Sequence, residues 1–441
     1  MIKAGFARVD VTPPLGTPIA GYFKVRASEG VLDPIELNAV AFGNEVDAAI
    51  LIACDFTGMT MARITPVREK ISAATGVPAD RILITSLHQH TSIYVGDRIG
   101  DAEDYALIMD TVYLNMLERK FLDVAKMALD DMSEARLFSS EMQAISPLAF
   151  TRRYFMQDGK LRTNPNTDKY GAPVRRAEEP DNTVRLLRFL REGKKEIDLV
   201  NFSTHPDVVG GRKFSADWPG FTRRFIEEDR KDVHCICTVG CQGDSNHVDF
   251  FKPKDERIVG GKGITHSMHM GRVISDTVMA LIRKEGVEHT ADTVFGGVSL
   301  IYNKTNTEGE EYYDEGVQYV KDYDAGTPRA TEHINDIAMA MRTVRLRTAQ
   351  IRRAVPVTLI AIGDVCFVGF GGEPFTNYGT AARALLADKT VFCSCCANGY
   401  EGYLLTAQAF REGGYETATS LFTPNLQEQC IGALAELKKN L

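Results

Sequence analysis

The sequence predicts an α/β protein, a single large domain with mixed β-sheets flanked by helices. Three observations carry that prediction. Strand and helix signals alternate along both halves of the chain. One run near the N-terminus has the strand–helix–strand order of a parallel βαβ unit. Two later hairpin signals add antiparallel pairs. No internal repeat and no Pro/Gly/Ser-type linker divides the 441 residues. One compact domain over 1–441 is therefore the simplest reading, although length alone gives a prior of about three domains.

The elements follow in order. Lys3 to Thr12 alternates like a strand and is stopped by Pro13-Pro14-Leu15-Gly16. Ala48 to Ala53 is an apolar run ending at Cys54-Asp55, Ile64 to Ala74 has helical spacing, and Arg81 to Ser86 is a second buried strand. These three form the expected βαβ unit. Asp101 to Met132 carries no Gly or Pro and repeats near 3.6, which reads as one or two amphipathic helices. Thr183 to Leu190 and Ile197 to Phe202 flank the polar turn Arg191 to Lys195, a hairpin signal. Val357 to Ile362 and Val365 to Phe370 form a second, turning at Gly363-Asp364. Helices are expected at 219–230, 262–284, 332–353, 376–387 and 423–440. The polar stretch Thr305 to Pro328 reads as a long surface loop or lid.

Composition narrows the function classes. The chain is 44% hydrophobic and 25% charged, which excludes a disordered or fibrous protein. Lys and Arg number 51 against 59 Asp and Glu, a net charge of −8. That balance argues against nucleic acid or an anionic membrane as the main partner and leaves a small-molecule substrate open. The most apolar stretch, Val357 to Gly371, is interrupted by Asp364 and is too short to span a bilayer. The opening MIKAGFARVDVTPP has no signal-peptide pattern, so a cytoplasmic location and no stable membrane association are expected. A symmetric homodimer is a common state for such enzymes. Nine cysteines lie mostly in strand-like runs and read as small core residues of a reducing compartment. Their C-x-C and C-x-x-x-C spacings are not paired zinc knuckles.

The residues that can do chemistry gather at strand ends. His88-Gln89-His90 closes the strand Arg81 to Ser86. Positions i and i+2 of a strand face one side, so the two imidazoles either share a metal or divide metal binding and proton transfer between them. His205 sits at the tip of Ile197 to Phe202, stopped by Pro206. Glu373 follows Val365 to Phe370 in GFGGEPF. Two histidines and a glutamate are a common set for catalytic zinc with an open position. The string Thr238 to Val248, TVGCQGDSNHV, follows a strand from Val233. It offers Ser245 as a candidate nucleophile beside Asp244, Asn246 and His247, but it is not a G-x-S-x-G elbow. Tyr400, Tyr403 and Tyr415 are three phenols in a Gly-rich segment after Val391 to Cys396, able to ligate a metal or donate to an oxyanion. Arg152 and Arg153 can grip a carboxylate or phosphate. His266 and His269, three apart on a helix without an accompanying Glu, read as surface or packing residues.

In order and spacing these strings resemble the catalytic domain of neutral/alkaline, non-lysosomal ceramidases. The likeness runs from AGFARVDVTPPLGTPIAGY at 4–22 through H-x-H at 88–90, RRY at 152–154, the His205 strand end and SADWPG at 215–220. It continues to GGEPF at 371–375 and NGYEGYLLT at 398–406, followed by Tyr415-Glu416. The resemblance implies a zinc amidase. It implies His88, His205, Glu373 and Tyr403 as zinc ligands, His90 as the proton-handling histidine, and Arg152 and Tyr415 as residues lining the site. Departures are specific. The family's Ser-Gly-Pro after H-x-H is Thr91-Ser92-Ile93 here, and its G-D-x-S-P-N string is Gly243-Asp244-Ser245-Asn246-His247. Aligned without a gap, the family's active-site serine falls on Asn246, with Ser245 one place early. The resemblance implies one catalytic domain over 1–441, and no C-terminal β-sandwich domain is expected.

The resulting expectation is a zinc-dependent hydrolase that cleaves the C–N (amide) bond of a small polar, N-acyl substrate by attack of metal-activated water. Its site would use His90, Tyr415 and Ser245 for catalysis. Arg152, Arg153, Asp244 and Asn246 would hold substrate. N/O sites do not select zinc by affinity alone, so another divalent ion fits the same set. The rival readings are ester hydrolysis, or a lyase or isomerase step on a sugar-like molecule at the same site, and a non-catalytic metal-dependent binding protein.

Overall fold

The computed structural model describes every residue except 24–25, 97–109, 258–262, 285, 291–292, 328–333 and 348. The expected βαβ unit is present. Strand Ala48–Cys54 pairs in parallel with Ile82–Ser86, Ile50 opposite Ile82, across helix Met61–Thr75. Ile64, Val67 and Ile71 recur at helical spacing and bury that helix against the sheet. Gly76, at φ 77, ends it with a left-handed cap.

The same unit occurs twice more. Strand Glu196–Phe202 runs through helix Asp217–Asp229 into the parallel strand Val233–Val239. Strand Val365–Phe370 runs through helix Thr376–Leu385 into the parallel strand Thr390–Ser394. Nearly every residue of these six strands is buried, as parallel pairs covered on both faces require.

Two of the units form the edges of one nine-stranded mixed sheet, and the antiparallel strands lie between them. From one edge the order is Val233–Val239, Glu196–Phe202, Thr183–Arg191, Ser133–Gln143, Ile2–Asp10, Glu36–Gly43, Ala48–Cys54 and Ile82–Ser86, with Val287–His289 paired off this path. The third unit lies in a four-stranded sheet ordered Val294–Lys304, Arg352–Ile362, Val365–Phe370 and Thr390–Ser394. The two sheets share one core, in which the Phe42 and Phe367 rings lie 5.1 Å apart beside Leu83, Ile236 and Ile360. Helices Met61–Thr75 and Thr111–Asp130 cover the other face of the large sheet.

The segment after Thr390–Ser394 touches both edges of the large sheet. Cys395 N–H donates to Val239 O at 2.9 Å, Cys396 O accepts from Ser86 N–H at 3.2 Å, and Asn398 Oδ1 accepts from Ile84 N–H at 3.0 Å. The C-terminal ends of the parallel strands are thereby brought to one place. That is where ligand sites form in α/β sheets.

Both predicted hairpins are present, Thr183–Arg191 with Glu196–Phe202 and Arg352–Ile362 with Val365–Phe370. Two expectations need correcting. The segment Thr305 to Pro328 is not a structureless loop: a 3-10 turn at Glu310–Tyr312 leads into helix Tyr313–Asp324, and Pro328 is outside the described residues. The helix expected at 332–353 ends at Leu346, because Arg352 already starts a strand. Of Asp101 to Met132, the described helix is Thr111–Asp130, and 101–109 lie outside the described residues. The other helices fall at Asp217–Asp229, Gly263–Ile282, Thr376–Leu385 and Leu426–Lys438. All nine cysteines are buried and free. Among the described residues no helix is long and apolar enough to cross a membrane.

Candidate metal centre at the strand ends

His88, His205 and Glu373 come from three different strand ends and meet. Glu373 Oε2 is 3.0 Å from His205 Nε2 and 3.3 Å from His88 Nε2. His90 Nε2 is 3.3 Å from His88 Nε2. His88, His90 and His205 offer nitrogens all within 4.8 Å of one another, the arrangement a metal ion needs. Exposure is 3% at His88, 0% at His205 and 1% at Glu373, so the ligand side of the centre is closed to bulk solvent.

The tautomers are fixed by what lies behind each ring. His88 Nδ1 is 2.6 Å from Thr57 O, and His205 Nδ1 is 2.8 Å from Gln242 O and 3.0 Å from Ser245 O. A carbonyl oxygen only accepts, so both Nδ1 atoms carry hydrogen, and in the neutral rings both Nε2 atoms present lone pairs. Two imidazole Nε2 atoms therefore face one carboxylate oxygen. They repel unless a proton or a cation stands among them. Outer nitrogens held by carbonyls are what orient histidine ligands in metal sites. The donor set fits a divalent ion such as zinc.

The H-x-H pair converges for a reason other than strand alternation. The strand stops at Ser86, and His88 has φ 71, a left-handed conformation uncommon for a residue with a side chain. Its N–H donates to Phe56 O at 2.8 Å, which together with Thr57 O holds the turn. Chain strain at a functional site is thus offset by two hydrogen bonds. Gly21, at φ 96, lets the Ala20–Tyr22 segment lie against His90, where a Cβ would come within 2.7 Å of the His90 backbone.

Electrostatics separates the groups. Burial opposes ionisation of Glu373, but His88 and His205 outweigh it and hold the carboxyl well below its ordinary range. Burial works to lower His88, yet Glu373 raises it overall. His90 is pushed down to about 3, chiefly by burial and then by His88 and His205, with Asp207 opposing. His90 is thus neutral, and it is the half-buried member of the trio.

Tyr403 lies directly across a two-stranded parallel ladder from Glu373, and its ring centroid is 6.5 Å from that of His205. The Tyr415 ring meets Tyr403 edge-on at 5.9 Å. Arg152 sits beside both, its guanidinium 5.0 Å from the Tyr403 ring centre and 5.9 Å from that of Tyr415. It donates from Nε to Glu416 at 2.7 Å and from Nη2 to Gly243 O at 2.8 Å. Burial works against its charge, but Tyr403, Glu416 and Glu373 outweigh burial and keep it protonated.

The remaining sequence candidates are near the centre but face elsewhere. Arg153 is fully buried and spends its donors on Glu178, Glu412, Glu416 and Gly413 O. Asp244 Oδ1 accepts from the N–H and hydroxyl of Thr376 at 2.9 and 2.8 Å, which ties its loop to the helix after Glu373. Asn246 bonds Asn164 and the Val248 N–H. Ser245 Oγ donates to the carbonyls of Ser203 at 3.2 Å or Gln242 at 3.4 Å, while its own carbonyl holds His205. Gly243 allows the loop to close on Glu373, where a Cβ would lie 2.4 Å from the Glu373 carbonyl. His266 and His269 stack on one helix with ring centroids 5.8 Å apart, and His266 is packed near His247 at 5.4 Å.

One residue of the centre, Glu416, is not singled out from the sequence, and Tyr400 is named there only as one of three phenols. Glu416 is fully buried between Arg152 and Arg153, and its only local signal is an acid next to Tyr415. Tyr400 donates its hydroxyl to Glu373 Oε1 at 2.8 Å, and nothing local separates it from the other two phenols.

The fold is similar to that of neutral ceramidase from Pseudomonas aeruginosa, with a TM-score of 0.67 at 14% identity, over 100% of this chain and 75% of that one. A second solved structure, a ceramidase complexed with C2, gives a TM-score of 0.69 at 14% identity, over 100% and 76%. At that identity the likeness is one of fold. No family model matches the sequence, and no curated protein matches it. The chain is therefore a mixed α/β protein of ceramidase-like fold, with a buried group of three histidines placed to hold a metal ion.

Proposed function

We propose that the protein is a metal-dependent hydrolase that cleaves the C–N bond of a small polar N-acyl compound, with zinc as its metal. One observation carries the reading. Two imidazole Nε2 atoms, their rings oriented by carbonyls behind them, converge on one oxygen of Glu373. His88, His205 and Glu373 would hold the ion, and the ladder position of Tyr403 beside Glu373 supports it as the fourth ligand. Bound there, a divalent ion supplies Lewis acidity toward a carbonyl and a lowered pKa for water.

The rest is the work of this chain's own residues. His90 is half-buried and its Nε2 stands 3.3 Å from His88 Nε2, so its imidazole is placed to accept the proton released by attacking water and return it to the leaving amine. Tyr415, whose phenol is held protonated by burial, is a donor for the developing oxyanion. Arg152 is locked in direction by Glu416 and Gly243 O and presents a fixed cation to the acidic or hydroxylated part of the substrate. The ligand side is closed, so the scissile bond must arrive past His90, Tyr403 and Tyr415, which remain partly exposed. The Ser245 hydroxyl gives its hydrogen to main-chain carbonyls, which favours water over serine as the nucleophile.

Turnover of a panel of small N-acyl compounds in ¹⁸O-labelled water tests the proposal. Single-label incorporation into the carboxylate product supports it. Product formed without label points to the lyase or isomerase alternative, and label with esters alone points to an esterase.

A further inference from the structure

Tyr400 touches two members of the centre with one side chain. Its hydroxyl donates to Glu373 Oε1 at 2.8 Å. Its ring stacks on His88, centroids 5.5 Å apart and planes 27° from parallel. Glu373 has two oxygens, and the one left over, Oε2, is the one near both Nε2 atoms. The phenol therefore occupies the oxygen that would otherwise allow the carboxylate to bind an ion through both.

The tyrosine is itself held firmly. Two residues earlier Asn398, at φ 55, bonds the backbone of Ile84 in both directions and the Thr358 hydroxyl. The Tyr94 ring meets Tyr400 edge-on at 5.5 Å. A Cβ on Gly58 would lie 3.0 Å from the Tyr400 ring, so the strand-end loop at Gly58 closes the remaining side. The Asn398 anchor reaches the strand Ile82–Ser86 that leads into His88, so the position of Tyr400 is referred to that of the ligand it braces.

We propose that Tyr400 is a positioning residue of the metal centre: its hydroxyl restricts Glu373 to one ligating oxygen and its ring fixes the plane of His88. This inference rests on the metal-site reading above. It assigns to Tyr400 a role distinct from that of Tyr403, three residues on, which stands beside Glu373 in the ladder without bonding its carboxylate.

The test is the affinity of the full chain for Zn²⁺, measured by competition with a chromophoric chelator, for wild type, Tyr400→Phe and Tyr400→Leu. Partners behind a metal ligand typically contribute about 10–100-fold in affinity. Tyr400→Phe, which keeps the ring and loses the hydroxyl, should bind roughly 10–100-fold more weakly. Tyr400→Leu should bind more weakly again. Thermal unfolding of each protein in the presence of EDTA provides the folding control, since a merely structural role would lower Tm there without changing the affinity of the folded chain. Wild type binding one Zn²⁺ with Tyr400→Phe within twofold of it overturns the inference and leaves the site intact. Wild type binding no Zn²⁺ overturns the site reading, and the inference with it.

Discussion

His205 Nε2 lies 3.0 Å from Glu373 Oε2, across 168 residues of chain. The contact joins the strand ends of two different sheets, and nothing in either local sequence requires it. It exists because three parallel βαβ units deliver their C-terminal ends to one point. The site is in this sense a property of the topology.

In the proposed mechanism His90 handles the proton and is not one of the ligands His88, His205 and Glu373. His90→Ala should retain the metal and lose about 10²–10⁴-fold in turnover, the usual range for a general acid–base group. Metal content and kcat measured on the same preparation check this. Full turnover with the metal bound would remove His90 from the mechanism.

The Ser245 hydroxyl is directed at backbone carbonyls, and the atom that serves the centre is the Ser245 carbonyl behind His205. Ser245→Ala should therefore leave kcat within about tenfold of wild type and cost on the order of 1 kcal/mol of stability from the lost hydrogen bond. A loss of activity like that of His90→Ala, or a covalent acyl adduct detected by mass spectrometry and absent in the variant, would make Ser245 the nucleophile.

Glu416 is 0% exposed and bridges Arg152 at 2.7 Å and Arg153 at 3.2 Å. Removing one member of a buried pair leaves an uncompensated charge and typically costs 3–5 kcal/mol. Glu416→Ala should destabilise the fold by about that much in denaturant titration and also weaken substrate binding, because Arg152 loses its anchor. A change below about 1 kcal/mol would show that the network is wet or rearranged.

Glu178 supplies a pH signature away from the metal. Its carboxyl is pushed up to about 8, by burial first and the Asp244 carboxylate next, with Arg153 opposing. The ordinary value is 4.5. Between these values the folded chain holds a proton that the unfolded chain has released, so stability falls as pH rises from about 4.5 to about 8. Glu178→Gln mimics the protonated acid. It should match wild type near pH 5 and exceed it by on the order of 1–2 kcal/mol near pH 8.5, read from melts at the two pH values. Equal stability differences at both would contradict the assignment.

Much of the site was legible because it sits where local patterns end. The buried strands Ile82–Ser86, Glu196–Phe202 and Val365–Phe370 are short apolar runs, and the polar residues just beyond each one are His88, His205 and Glu373. Uniform burial does not account for every strand, since Glu36–Gly43 is buried almost throughout and carries no expected strand. Ser133–Gln143 has only Leu137 and Ser139 well buried, so its pattern is that of a polar segment. Helix Tyr313–Asp324 buries just Gly316 and Val320, too little to make an apolar stripe. The turn at His88 was also hidden. Histidine gives no hint of a positive φ, and the carbonyls that hold it come from Phe56 and Thr57. Glu416 and Tyr400 gain their meaning from partners far along the chain, which no spacing rule reaches.

The central claim is that His88, His205 and Glu373 hold a catalytic metal ion. Its most direct test is metal content by mass spectrometry on wild type and on the His88→Ala/His205→Ala double variant. Wild type should carry about one zinc ion per chain and the double variant none, the site being one set of N/O ligands. Wild type without metal, or metal that survives both substitutions, would contradict it.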